Sequence, residues 1–117
     1  MKFRKETDSM GAINVDDDKY WGASTERSKK YFDIGKILVS KTLINAIAVI
    51  KIAAAKVHRK DRQIDIKICN AIMTASKEII SGKLDENFPL KVWQTGSGTQ
   101  TNMNVNEVIS NLSLIHI

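Results

Sequence analysis

The chain has 117 residues, 43% hydrophobic and 26% charged, which leaves room for one small domain with one core and excludes the disordered and collagen-like classes. Its net charge of +5 comes from lysines and arginines interleaved with Asp and Glu, and aromatics make up only 6%, so no stacking platform accompanies the charge and no nucleic-acid partner is expected. A lone cysteine, Cys69, excludes an internal disulfide, cannot hold an iron–sulfur cluster and points to a cytoplasmic protein, while no run reaches the roughly 18 apolar residues that would cross a membrane.

The opening Met1 to Lys5 is basic, but Glu6 and Asp8 follow at once without an apolar core, so neither a secretory nor a transit signal fits. From there to about Lys36, scattered Gly and Asp without sustained periodicity predict turns and short extended pieces that wrap another element. Asp16, Asp17 and Asp18 lack the glycine and distal Glu of a calcium loop and read as a solvated turn. Ser40 or Thr42 can cap a helix whose Leu43, Ile47, Ile50, Ala54 and Val57 recur at steps of four and three, forming one face as far as about His58. Asp65 begins a second helix, with Ile68, Ile72, Ala75 and Ile79 at the same spacing and Gly82 as its left-handed stop. Two amphipathic helices on a short polar link predict a helical hairpin, with Cys69 as core filler and His58 without a partner at ligand spacing. Residues 82–89 connect, and Leu90 to Gln94 alternate as a short extended piece does.

The composition then changes. Thr95-Gly96-Ser97-Gly98-Thr99-Gln100-Thr101-Asn102 has no large apolar side chain, and a helical pattern of Val105, Val108, Ile109 and Leu112 starts directly behind it. Glycine-flanked hydroxyl residues opening a helix can hold an anion: the glycines admit close backbone approach, first-turn N–H groups point outward and Ser97 and Thr99 add donors. The dinucleotide fingerprint fails because its last glycine position is Thr101, and the P-loop fails because no lysine follows Gly98. On physics alone a tight turn with an ordinary N-cap is an equal reading.

The stretch from Trp93 to Val108 resembles the first signature region of class II (metal-independent) fumarases, W-Q-T-G-S-G-T-Q-x-N-M-N-x-N-E-V, and agrees with it throughout. Asp8-Ser9-Met10-Gly11, Tyr20-Trp21-Gly22-Ala23, Arg27-Ser28, Ala53 to Val57 and Phe88-Pro89-Leu90 add to the resemblance, which extends from about Asp8 to Asn111. Aspartases share the fold and are the second reading, but resemble F-Q-G-G-A-G-T-S where this chain has Trp93, Thr95, Ser97 and Gln100.

The resemblance implies a mainly α fold: the N-terminal domain of the fumarase/aspartase fold, with a helical hairpin, short extended N-terminal pieces and the start of a long central helix. It implies reversible hydration of fumarate to malate in the tricarboxylic acid cycle by a homotetramer without metal or other cofactor. It also implies that Ser97, Gly98 and Thr99 bind a substrate carboxylate, with no catalytic residue in this segment. The family's later histidine region and the loop resembling G-S-S-x-M-P-x-K-x-N do not occur here, so residues 1–117 read as a truncated N-terminal lyase domain that is inactive alone and leaves apolar helix surface exposed. Residues 112–117, Leu-Ser-Leu-Ile-His-Ile, depart from the polar and Ala-rich helix expected and read as a non-family tail, with no catalytic part for His116. A different class of reading makes the polypeptide a non-catalytic helical fragment or anion-binding module.

Overall fold

A computed structural model describes residues 2–116 of the chain, without the side chain of His116. Met1, the start of the basic opening, and Ile117, the end of the proposed tail, lie outside the described residues.

The first extended pieces pair with each other. Strands β1 (Phe3–Asp8) and β2 (Gly11–Asp16) form an antiparallel hairpin in which Asp8 faces Gly11 across the turn at Ser9 and Met10. Gly11, at φ 111°, takes a conformation that a side chain disfavours, and the Asp8 carboxylate accepts the Met10 N–H at 2.9 Å. Asp17 and Asp18 form an exposed turn behind β2.

Helix α1 (Ala23–Tyr31) then corrects the expectation of only turns and short extended pieces up to Lys36. Its buried residues are Ala23, Thr25 and Ser28, small and partly polar, so the helix has no apolar stripe for periodicity to detect. Arg27 joins it to the hairpin: Nε donates to both Asp8 oxygens, at 3.2 and 3.0 Å, and a terminal nitrogen donates to the Gly11 carbonyl at 2.9 Å.

Helices α2 (Lys41–Lys60) and α3 (Ile66–Ser81) form the predicted hairpin. Ser40 caps α2 by accepting the Thr42 N–H, and Asp65 caps α3 by accepting the Lys67 N–H. Gly82 ends α3 at φ 91° in the left-handed region. The packed face of α2 is rotated from the predicted stripe: Ile44, Ala48 and Ala55 are buried, Ile47 and Ala54 half-buried, and Leu43, Ile50 and Val57 are 49%, 63% and 56% exposed. The cause is a helix with apolar residues on more than one side, so that the regular 4–3 stripe and the core-facing row differ by about one position. On α3 the expectation holds more closely: Ala75 and Ile79 are fully buried with Cys69, Ile72 is half-buried and Ile68 lies at the exposed edge.

A short 3-10 turn at Asp85–Asn87 follows. The extended piece after it makes an isolated antiparallel bridge, Leu38 to Lys91, with Val39 N–H on the Leu90 carbonyl and Val92 N–H on the Ile37 carbonyl. Lys91 also pairs with Asp33, and Lys41 with Asp85. Helix α4 (Thr99–His116) closes the core, its Val105, Val108, Ile109 and Leu112 packing with Val15, Trp21, Ile44, Ala48, Ala75, Ile79 and Phe88.

The Arg27 guanidinium bonded to Asp8 and the Lys91 ammonium bonded to Asp33 each hold the carboxyl below its ordinary value. A depressed carboxyl contributes stability that is complete above its unfolded pKa, near 4, and is lost as pH falls through the folded one. Carbon-13 titration of the Asp8 carboxyl is expected to show a midpoint below the ordinary aspartate value, moving up toward it in Arg27→Leu while the Met10 N–H bond remains. An unchanged midpoint in that variant would exclude Arg27 as the cause.

Candidate active site

The turn 95–98 is suspended between two fixed ends. On one side Lys91 lies in the bridge to Leu38; on the other Thr101, 4% exposed, sits in the first turn of α4. Gln94 connects them: its Oε1 accepts both the Thr101 N–H and the Thr101 hydroxyl, each at 3.0 Å, and its Nε2 donates to the Lys91 carbonyl at 3.1 Å. Within the turn the Gly98 N–H reaches the Thr95 carbonyl at 2.9 Å.

Gly98 adopts φ 71°, a conformation in which a side chain would be strained, and carries the chain from the turn into α4. A Cβ at Gly98 or at Gly96 would meet nothing within 4 Å, so the first requirement at Gly98 is backbone conformation rather than space. Ser97 and Thr99 are exposed and Gly98 is half-exposed, so the three sequence-predicted residues lie together on an open surface at the helix start. Ser97 Oγ also accepts the Thr99 N–H at 3.4 Å, a long bond that leaves the hydroxyl largely free for another partner. Two hydroxyls and the positive end of an 18-residue helix suit a carboxylate, favouring it by about 0.3–1 kcal/mol when exposed.

Sequence reading treated the remainder of this region as one motif, and the structure divides it. Glu107 and Asn111 bond to the N-terminal segment directly, and Asn104 bonds to Asn87, which in turn holds Tyr20. Asn104 Nδ2 donates to the Asn87 carbonyl at 3.0 Å, and Asn87 Oδ1 accepts the Tyr20 N–H at 2.7 Å. Asn111 Nδ2 donates to the Tyr20 carbonyl at 2.8 Å and to Glu6 at 3.3 Å. The Glu107 carboxylate accepts the N–H groups of Gly22, Ser24 and Thr25 and the Thr25 hydroxyl, at 3.1, 2.9, 2.8 and 2.6 Å, and so caps α1 from α4.

An apolar groove of about 480 Å³ lies among α2, α3 and α4, with Ala54, Ile68, Ile72 and Ile109 in its lining, and another of about 380 Å³ runs from Arg27 and Tyr31 to Gln100. Neither is lined by Ser97, Gly98 or Thr99, so the candidate rests on side-chain chemistry and not on concavity. Among the described residues no group of three or more His, Cys, Asp or Glu side chains is placed to hold a metal ion, and no helix is long and apolar enough to cross a membrane.

Residues 11–117 match the sequence profile of the lyase family. The chain belongs to this family. This lyase chain is 54% identical over 111 residues to the class II fumarate hydratase of Campylobacter jejuni, covering 95% of the chain and 24% of that protein. It is 54% identical over 114 residues to the mitochondrial fumarate hydratase of Danio rerio, covering 96% and 22%. The crystal structure of class II fumarase from Schistosoma mansoni superposes with a TM-score of 0.94 at 42% identity, over 96% of the chain and 24% of that structure. The lyase chain therefore spans about a quarter of the length of the relatives it matches.

Proposed function

We propose that the complete polypeptide carrying this segment is a class II fumarate hydratase of the tricarboxylic acid cycle, and that Ser97, Gly98 and Thr99 bind one carboxylate of fumarate or malate. The observation that carries this reading is the pair of exposed hydroxyls at the start of α4, on a turn fixed at both ends, in a chain about half identical to proteins of that name. The chemistry needs such donors. Removing the proton beside a carboxylate of malate builds negative charge on that group, and preset donors that tighten on it lower the barrier. One donor of this kind is worth roughly 10²–10³ in rate by analogy with oxyanion holes. Metal and other cofactors have no part in the reading, which needs only hydroxyl and N–H donors at this position.

A homotetramer and a cytoplasmic location complete the proposal, supported respectively by the exposed apolar edge of α2 and by the lone, buried Cys69. Residues 1–117 are read as an N-terminal lyase domain that is part of a longer polypeptide, supported by its span of about a quarter of its relatives. In the complete polypeptide, Ser97→Ala and Thr99→Val are each expected to lower kcat/KM for fumarate by at least about tenfold without altering the circular dichroism spectrum. Near-normal kcat/KM in both folded variants would remove the site and leave Ser97 as a helix cap.

A further inference from the structure

The bonds inside the turn that carries Ser97 are weak where they matter. Thr95 N–H reaches Gln100 Oε1 at 3.4 Å, and Thr99 N–H reaches Ser97 Oγ at 3.4 Å, both at the long limit of hydrogen bonding. Backbone bonds join the Gly98 N–H to the Thr95 carbonyl at 2.9 Å and the Thr101 N–H to the Gly98 carbonyl at 3.1 Å, and the short side-chain bonds all come from one residue. Gln94 fixes Thr101 through two donors at 3.0 Å each and fixes itself to Lys91 at 3.1 Å, while Thr101 is buried and Lys91 is held in the bridge to Leu38. A single amide therefore ties residue 94 directly to residue 101. Its Oε1 is occupied by Thr101, so the amide acts on the turn's geometry and not on an anion outside it.

From this arrangement we infer that Gln94 is a positioning residue, which sets where the Ser97 and Thr99 hydroxyls stand by clamping the ends of their turn. The inference rests on the carboxylate-binding reading of those hydroxyls. Displacement of binding groups by about 1 Å can cost up to about a hundredfold in rate, so loss of the clamp should be visible in kcat/KM. Gln94→Leu removes the acceptor of the Thr101 hydroxyl and one of the two acceptors of the Thr101 N–H, which keeps the Gly98 carbonyl at 3.1 Å. Thr101→Val removes only the hydroxyl bond, is nearly isosteric and keeps the N–H bond, so it retains the fold where the larger change does not.

The test is a double-mutant cycle on the complete polypeptide, with kcat/KM for fumarate and melting temperature measured for every variant. Gln94→Leu is expected to lower kcat/KM by about tenfold and Thr101→Val by about threefold. Neither should lower it further once Ser97→Ala and Thr99→Val are both present, because the clamp has then nothing to position. A general loss of stability would not show that dependence. Effects that add in full to those of the Ser97→Ala, Thr99→Val pair, or a folded Gln94→Leu with unchanged kcat/KM, would overturn the positioning role while the carboxylate site stands. An unaffected Ser97→Ala, Thr99→Val pair would instead overturn the site reading itself, and the positioning role with it. If Gln94→Leu does not fold, Thr101→Val decides alone by the same criterion.

Discussion

Replacing Glu107 by alanine is expected to lower the melting temperature of this chain by roughly 15 °C. The side chain lies in the region that reads most like an active-site motif, yet its four bonds all go inward. The residue before helix α1, Gly22, has no side chain to cap it, and the N–H groups that such a cap would satisfy point instead at Glu107. Thr25 is 1% exposed, so water cannot freely replace the carboxylate. Hydrogen bonds to a charged acceptor contribute about 1.5–3 kcal/mol each, and overlapping ones add incompletely, so about 3 kcal/mol is a conservative loss for the cluster. A domain of this size holds only about 5–15 kcal/mol in total. Gly22→Ala should reproduce part of the loss, because a Cβ there would stand 2.7 Å from a Glu107 carboxylate oxygen that the other bonds keep in place. Thermal denaturation followed by circular dichroism measures both. A Glu107→Ala protein melting within about 3 °C of the parent would show that α1 does not depend on this carboxylate.

This division within α4 explains what was legible in the sequence. Apolar periodicity located α3 closely, because Ala75 and Ile79 lie on one buried row and Gly82 stops the helix in the left-handed conformation. The same signal on α2 found the helix but selected the wrong row. Two apolar rows overlap there, and only the position of α3 and α4 decides that Ile44 and Ala48 face inward while Leu43 and Ile50 do not. Helix α1 could not be found by periodicity at all. Its burial rests on Ala23, Thr25 and Ser28 against a carboxylate 82 residues further along from Thr25, a dependence without local signature. At the candidate site, glycine and hydroxyl spacing left an anion-binding turn and an ordinary N-cap as equal readings, and only the resemblance made Ser97, Gly98 and Thr99 readable as a carboxylate site. The work of Gln94, Asn104 and Glu107 was not readable, since an amide or carboxylate in or before a helix reads the same whether it meets a ligand or its own chain.

The 117-residue chain by itself is expected to turn over no fumarate and no malate. Ser97 and Thr99 are open to solvent, where a charge interaction worth several kcal/mol in a dry site falls to about 1 kcal/mol. Donors in that setting bind a dicarboxylate weakly and stabilise a developing charge little more than water does. Proton transfer needs a positioned acid or base, typically worth another 10²–10⁴-fold. The described side chains bonded within the turn, Gln94, Gln100, Ser97 and Thr101, are amides and hydroxyls, none of which titrates near neutral pH. The apolar edge formed by Leu43, Ile50 and Val57, each about half exposed or more, adds a tendency to associate, so concentration dependence must be followed together with activity. The measurement is the ultraviolet absorbance of fumarate after malate is added to the purified chain over a range of protein concentrations. Saturable, enzyme-dependent appearance of fumarate would mean that a proton-transfer group stands beside the turn in the chain or its assembly, and that binding through Ser97 and Thr99 is not all this segment does.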